Sequence, residues 1–265
     1  MRGVWCTLIV GGLIAGGLSC SGQTVVNQAT AEAAAADAGQ ASLADDPQAI
    51  AVLKETGARF DYNDQGSVRA VELIKSKITD DDLEYLQRLR NLEILEIGGG
   101  KVTDAGTAHL AGLGQLQKLY LHDLLITDAA LRHLAKISTL RVLSLQRTRV
   151  TGKGLVHFKG HKNLNVINLS FTKADDEALA AMKHIPNLDT IAVEATRVTG
   201  DGLRHLNRLA RLRVLNLNRC KVNDPDLYHL VGLDELRMLY LRDCNVTDEN
   251  IEKFKDKMTS LAVFY

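Results

Sequence analysis

Proline is scarce in this chain, aromatic side chains are few, and neither charge sign is in excess. Its 265 residues include 3 Pro and 5% aromatics, and 32 Lys and Arg balance 32 Asp and Glu. The zero balance excludes a generally basic nucleic-acid binder and a polyanionic tail protein, because both roles need excess charge of one sign. It leaves local patches open. The four cysteines are Cys6, Cys20, Cys220 and Cys244, and the first two precede the region that can fold. The other two cannot make a disulfide framework, so a core must hold the domain together. Residues 47–265 contain no P-loop, dinucleotide fingerprint, nucleophile elbow or H-E-x-x-H zinc motif. No cofactor and no catalysis are expected. What the chain has is leucine, within a 46% hydrophobic composition, enough for one large domain or two ordinary ones. A Leu-rich chain so poor in aromatics and proline suggests many similar small units.

The N-terminus stands apart. After Arg2, residues Val4 to Leu18 form an uncharged, mostly apolar run of 15 residues. That is short of the ~20 residues a membrane span needs and suits the h-region of an export signal. The run ends in Gly17-Leu18-Ser19-Cys20-Ser21, which resembles a bacterial lipoprotein signal whose first mature residue is a lipid-bearing cysteine. The resemblance implies lipidation of Cys20; Gly17 departs from it, since that position usually carries Leu. Residues 1–19 are thus expected to be an export signal and 20–46 a flexible Ala-rich tether. Arg2 stands against Glu32, Asp37, Asp45 and Asp46, a balance of −3, which leaves +3 on residues 47–265.

The repeat is unambiguous. Leu92, Leu116, Leu140, Leu164, Leu188, Leu212 and Leu236 recur every 24 residues, with Val68 one unit earlier and Leu261 one unit later after one extra residue. Apolar residues follow at the fourth and sixth positions, as in Leu140, Leu143 and Leu145, an alternation that predicts a strand with one buried face. Later in the unit the apolar spacing becomes three, as in Leu155 and Phe158, which predicts a short helix. Its start is marked at the twelfth position by Thr79, Thr103, Thr127, Thr151, Asp175, Thr199, Asn223 and Thr247, all good N-caps. Asp80, Asp104, Asp128, Asp176, Asp224 and Asp248 follow; they are expected to place negative charge on the positive helix ends.

With these positions in hand, residues 68–265 resemble the leucine-rich-repeat family, in the version whose unit reads L-x-x-L-x-L-x-x-T-x-V-T-D. That version is similar to the repeats of F-box substrate receptors, the cysteine-containing subclass and the ribonuclease-inhibitor-like class. The ninth position, an Asn ladder in many members, here holds Ser76, Gly100, Leu124, Thr148, Thr172, Thr196, Cys220 and Cys244; Leu124 predicts a locally altered turn. The implied fold is an α/β leucine-rich-repeat solenoid, curved, with parallel strands on its concave face and short helices on its convex face. Residues 47–67 are expected to cap it with a helix and a strand, 68–260 to form eight coils, and 261–265 a terminal strand shielded by Lys253, Lys255 and Lys257.

Candidate chemistry is sparse. His109, His133, His157, His205 and His229 share the eighteenth position, a repetition that points to structure. His157 and His161, four apart, with His133 and His184 on neighbouring coils, are the one set with spacing usable for a metal, yet no carboxylate completes it. Cys220 and Cys244 are equivalent in adjacent coils and are expected as buried free thiols, because parallel side chains in register rarely reach disulfide torsions. Gly98, Gly99 and Gly100 read as a bare strand end.

Surface recognition remains. The third, fifth, seventh and eighth positions face or border the concave side, and there lie Tyr120, His122, Arg147, Phe171, Glu194, Asn218, Tyr240 and Arg242. Exposed Tyr, Phe and Arg dominate binding energy at protein interfaces. The tenth position adds a basic rim of Lys77, Lys101, Arg149, Lys173, Arg197 and Lys221, broken by Leu125 and Asn245, a solvated row or a guide for an acidic partner. The chain is therefore read as an exported, membrane-tethered binding module, monomeric, that recognises a protein or cell-surface polymer through its concave face, with no nucleic-acid partner. The alternatives are a substrate-receptor role like that of F-box leucine-rich-repeat proteins in ubiquitin ligase complexes, and a metal-binding or hydrolytic envelope protein.

Overall fold

The computed structural model describes residues 45–265. The signal, Cys20 and the tether up to residue 44 lie outside the described residues. Asp45 and Asp46, which close the expected tether, are built into the domain. Asp45 accepts a hydrogen bond from the Val68 N–H. Asp46 caps helix α1 (Pro47–Glu55) by accepting from the Gln48 N–H at 2.8 Å, and it pairs with Arg88 at 3.0 Å. Proline at the first helical position suits this start, since its missing N–H would have had no partner. The helix buries Ala49 and Leu53 against coil one.

Ten strands then form one open sheet. β1 (Arg59–Tyr62) runs antiparallel to β2 (Val68–Ile74), joined by a turn in which the Asn63 carboxamide accepts from the N–H groups of Gln65 and Ser67. After them come β3 (Ile94–Gly98), β4 (Lys118–His122), β5 (Val142–Ser144), β6 (Val166–Asn168), β7 (Thr190–Ala192), β8 (Val214–Asn216), β9 (Met238–Tyr240) and β10 (Ala262–Phe264). Each is parallel to the one before, in sequence order. Register follows the repeat: Glu96 pairs with Tyr120, Tyr120 with Ser144, and Phe264 with Tyr240. The last pairing keeps the 24-residue offset, so the extra residue before Leu261 is absorbed in the turn and does not shift the strand.

The fourth and sixth positions build the core as expected. Leu95, Leu119, Leu143, Ile167, Ile191, Leu215 and Leu239 are fully buried, with Ile97, Leu121, Leu145, Leu169, Val193 and Leu217 beside them. Each convex segment is one or two turns, α-helical in Asp128–Leu134 and Asp176–Met182 but 3₁₀ in Lys153–Phe158 and Asp224–Leu230.

The aspartates after the twelfth position do more than charge helix ends. Asp80, Asp104, Asp128, Asp176 and Asp224 each reach into the next coil and accept from both the N–H and the hydroxyl of its twelfth-position threonine, namely Thr103, Thr127, Thr151, Thr199 and Thr247. They are staples between coils. Where the aspartate is replaced by Gly152 or Gly200, the next coil has no such threonine. Asp175 there caps its own helix through the Glu177 N–H, and Asn223 donates its own N–H to Asp226. Asp226 fills the vacated place, since a Cβ on Gly200 would lie 1.8 Å from its carboxyl carbon.

The eighth position is left-handed in every coil. Lys75, Gly99, Asp123, Arg147, Phe171, Ala195, Arg219 and Asp243 have φ between +51 and +66°. For non-glycine residues this costs about 1–2 kcal/mol each. Hydrogen bonds between coils offset the cost, for example Phe171 N–H to Glu194 C=O at 2.8 Å and Arg219 N–H to Arg242 C=O at 2.8 Å. The ninth side chain then satisfies a carbonyl left by the turn. Thr148, Thr172 and Thr196 donate to Leu145, Leu169 and Val193, and the thiols of Cys220 and Cys244 donate to Val193 and Leu217 of the preceding coils. Leu124 does not alter its turn: Asp123 keeps φ +55° and the Leu124 side chain packs into the core.

Candidate functional site

Four strand positions bring the candidate residues together, and crowding sorts them. At the fifth position of the middle coils, Ser144, Asn168, Ala192 and Asn216 are all nearly inaccessible. Asn168 and Asn216 turn back to accept from the N–H groups of Ser170 and Asn218. They form a closed polar floor.

Tyr120 is a correction. Expected as an exposed recognition residue, it is 8% exposed, between Glu96 and Ser144 on the adjoining strands. Its hydroxyl is buried without a hydrogen-bond partner among the described residues. Burial, and secondarily the Glu96 carboxylate, push its pKa up to about 12, so it stays a neutral phenol.

His122 is the best-held candidate. Its Nε2 lies 3.1 Å from Glu96 and its Nδ1 3.2 Å from Asp123. Two carboxylates on two ring nitrogens require both to donate, which is the imidazolium. The Glu96 hydrogen bond, with a smaller share from Asp123, raises the His122 pKa against the opposing effect of burial. Gly98 makes room for the ring: a Cβ there would stand 2.1 Å from His122 Cε1. The strand end expected to be bare is filled by this imidazole. A pKa raised on folding stabilises fully below the unfolded value of ~6.5 and is lost as pH rises through the folded value. The unfolding free energy of the wild type minus that of His122→Asn should therefore fall as pH climbs through that window, in urea titrations. A pH-independent difference would refute the imidazolium clamp.

Further along, Arg147 lies over the ring of Phe171 at 5.0 Å, and Tyr240 stacks on Phe264 at 4.6 Å. Phe264 was not among the expected site residues. Its offset of 24 from Tyr240 was the signal that could have found it. Glu194 accepts from the Asn216 carboxamide at 3.4 Å, and the Asn218 side chain accepts from the Arg242 N–H, leaving the Arg242 side chain exposed. Phe171, Arg242, Phe264 and Tyr265 are exposed around the buried floor.

The six basic rim residues, Lys77, Lys101, Arg149, Lys173, Arg197 and Lys221, are all exposed. The lysines expected to shield the terminal strand are engaged elsewhere: Lys253 pairs with Glu249, Lys255 with Glu252, and Lys257 sits over Tyr228. Among the described residues β10 pairs with β9 alone.

The histidine set does not converge as a metal centre. The two ring nitrogens of His161 lie 3.0 Å from the Ile137 carbonyl and 3.2 Å from the Leu164 N–H, which assigns Nε2 as donor and Nδ1 as acceptor. His133 accepts from Arg132, while His157 and His184 are exposed. Among the described residues no group of three or more His, Cys, Asp or Glu is placed to hold a metal. Cys220 and Cys244 are free, and burial pushes the Cys220 thiol up to about 11. Among the described residues no helix is long and apolar enough to cross a membrane.

No protein-family model and no curated protein matches the chain. Solved structures do. Internalin C2 from Listeria monocytogenes aligns at TM-score 0.57 with 19% identity, over 81% of this chain and 91% of that one. The plant peptide hormone receptor RGFR1 in complex with RGF2 aligns at 0.47 with 14% identity, over 77% of this chain and 40% of that one. The PEPR1–AtPEP1 structure gives 0.47 and 12%, over 77% and 36%. The fold is a leucine-rich-repeat solenoid.

Proposed function

We propose that this domain is a binding module, without catalysis, that recognises an extended segment of another protein across the C-terminal half of its concave face. The carrying observation is the pair of aromatic contacts, Arg147 with Phe171 and Tyr240 with Phe264, on either side of a floor of Asn168, Ala192 and Asn216. Phe171 and Tyr240 are three coils apart, or ~14 Å at the usual strand spacing of ~4.8 Å. Rigid aromatics on either side of a flat, closed floor offer stacking area at both ends of an extended segment. Glu194, Asn218 and Arg242 supply charge and polarity along this line, and His122 lies beyond its N-terminal end. Burial holds the Cys220 side chain as a thiol, a poor nucleophile, which supports recognition over catalysis.

The same proposal places the protein outside the cytoplasm, held to a membrane by lipid on Cys20, as the lipoprotein-like sequence supports.

The test is capture from the native cell envelope. Phe171→Ala combined with Tyr240→Ala should weaken retention of the captured protein roughly 100-fold or more, since a buried hot-spot aromatic contributes ~2 kcal/mol. Thermal unfolding should change little. Retention unaffected by the pair would remove the site assignment, and a mature N-terminus not beginning at lipid-bearing Cys20, by mass spectrometry, would remove the anchor.

A further inference from the structure

The tenth-position cations are built as a rigid row. Arg149, Lys173, Arg197 and Lys221 occupy four consecutive coils, and each donates its backbone N–H to the eleventh-position carbonyl of the coil before: Ile126, Val150, Ala174 and Val198. The ninth and eleventh side chains around them point into the domain, as Thr148, Thr172, Val150 and Val198 show. The tenth side chain can only point outward.

These bases are also uncompensated. None of the four forms an ion pair among the described residues, whereas on the opposite rim Arg69 pairs with Asp61 and Arg213 with Glu235. The acids closest in sequence to the row turn to other partners, Glu194 to Asn216, Asp201 to Arg204 and Asp224 to Thr247, as do acids farther along the chain. Asp128 and Asp176 staple the following threonines, Asp175 caps its own helix, and Asp243 pairs with Arg219. A fixed line of free positive charge on a chain with no net charge is a surface suited to a polyanion.

We propose that this rim binds a linear acidic polysaccharide carrying one carboxylate per sugar, laid across coils four to seven. Charges on the row repeat once per coil, at ~4.8 Å, and a sugar unit in an extended chain is about as long. Nucleic acid is a poorer match, because binding of its single strands uses base stacking as well as phosphate contacts. The row itself lacks the aromatic platforms on which bases stack. The side chains of the row are all charged and exposed, a poor setting for the buried aromatic anchors of a folded protein partner. Lys77 and Lys101 extend the line beyond the gap at Leu125.

The full chain should be retained by immobilised polygalacturonate and released by salt, and neutral dextran should not retain it. Changing all four residues, Arg149→Gln, Lys173→Gln, Arg197→Gln and Lys221→Gln, should weaken retention roughly 10- to 100-fold, given the modest worth of each exposed charge pair. Arg149→Lys with Arg197→Lys should preserve it. The side chains are exposed, so the unfolding midpoint should hold, which excludes loss of fold as the cause. Phe171→Ala with Tyr240→Ala should leave polymer retention intact, which separates this inference from the concave-face proposal. Retention indifferent to salt or to the four-fold change would overturn it, as would tighter binding to polyphosphate or single-stranded DNA at matched charge.

Discussion

Asp128→Ala should be among the most destabilising single changes on the surface of this domain, while Asp248→Ala, its counterpart in the last coil, should be nearly silent. Asp128 accepts four hydrogen bonds from the next coil: from Thr151 N–H and hydroxyl at 3.0 and 2.6 Å, and from the N–H groups of Gly152 and Gly154 at 3.0 and 3.1 Å. Bonds to a charged acceptor contribute ~1.5–3 kcal/mol each but do not add, and water competes at a half-buried site, so a total near ~3 kcal/mol is expected. For a domain of this size that lowers the unfolding midpoint by about 6–12 °C. Among the described residues Asp248 accepts no hydrogen bond from another coil. It lies exposed in the first turn of Asp248–Lys255 and can lose only the ~0.3–1 kcal/mol of a charge at a helix start. If the aspartates acted only on their own helices, the two substitutions would have similar effects. Thermal and urea unfolding of both variants decide between the readings, and equal losses would discard the staple.

In a stacked repeat, stability is the sum of what each coil contributes and what each interface contributes. The aspartates belong to the interface. That coupling was present in the chain but spread between columns: aspartate at the thirteenth position occurs where the next coil has Thr103, Thr127, Thr151, Thr199 or Thr247 at its twelfth, and glycine where it has Asp175 or Asn223. Reading each column alone yields caps and helix charges. Reading across one coil boundary yields the ladder.

The strands and the leucine core were legible because a period of two and a repeat of 24 leave one solution for which faces are buried. Two other features were not. Nothing in Lys75, Asp123, Arg147, Phe171 or Arg219 announces a left-handed residue. Only Gly99 hints at it, because hydrogen bonds to the following coil impose the conformation against local preference. Tyr120 fell on the correct face with the wrong exposure. Periodicity assigns a face, while accessibility depends on neighbours two strands wide, and Tyr120 is closed in where Tyr240, beside the short β10, remains partly open. The His122 clamp likewise depends on Glu96 and Gly98 of one coil meeting His122 and Asp123 of the next, some 24 residues on, which no local motif collects.

Gly152→Ala tests the place where the ladder is interrupted. Gly152 has φ +91°, and a Cβ there would meet Ala178 Cβ at 2.3 Å and Ala178 Cα at 3.0 Å. The left-handed backbone alone costs a side chain ~1–2 kcal/mol, and forcing a methyl into a filled space costs ~1–3 kcal/mol more. A loss of about 2–4 kcal/mol is expected. Ala178→Gly by itself removes the colliding methyl but places glycine inside the helix Asp176–Met182, for ~1 kcal/mol. Combined, the two changes relieve the methyl contact and leave the backbone cost, so their joint loss should fall short of the sum by ~1 kcal/mol or more, outside the usual additivity error. Strict additivity in denaturant titrations would show that coils four and five do not meet through this contact. The coupling would explain why coil four forgoes its aspartate: with Asp175 capping its own helix, the coil-five helix comes close enough to exclude any side chain at residue 152.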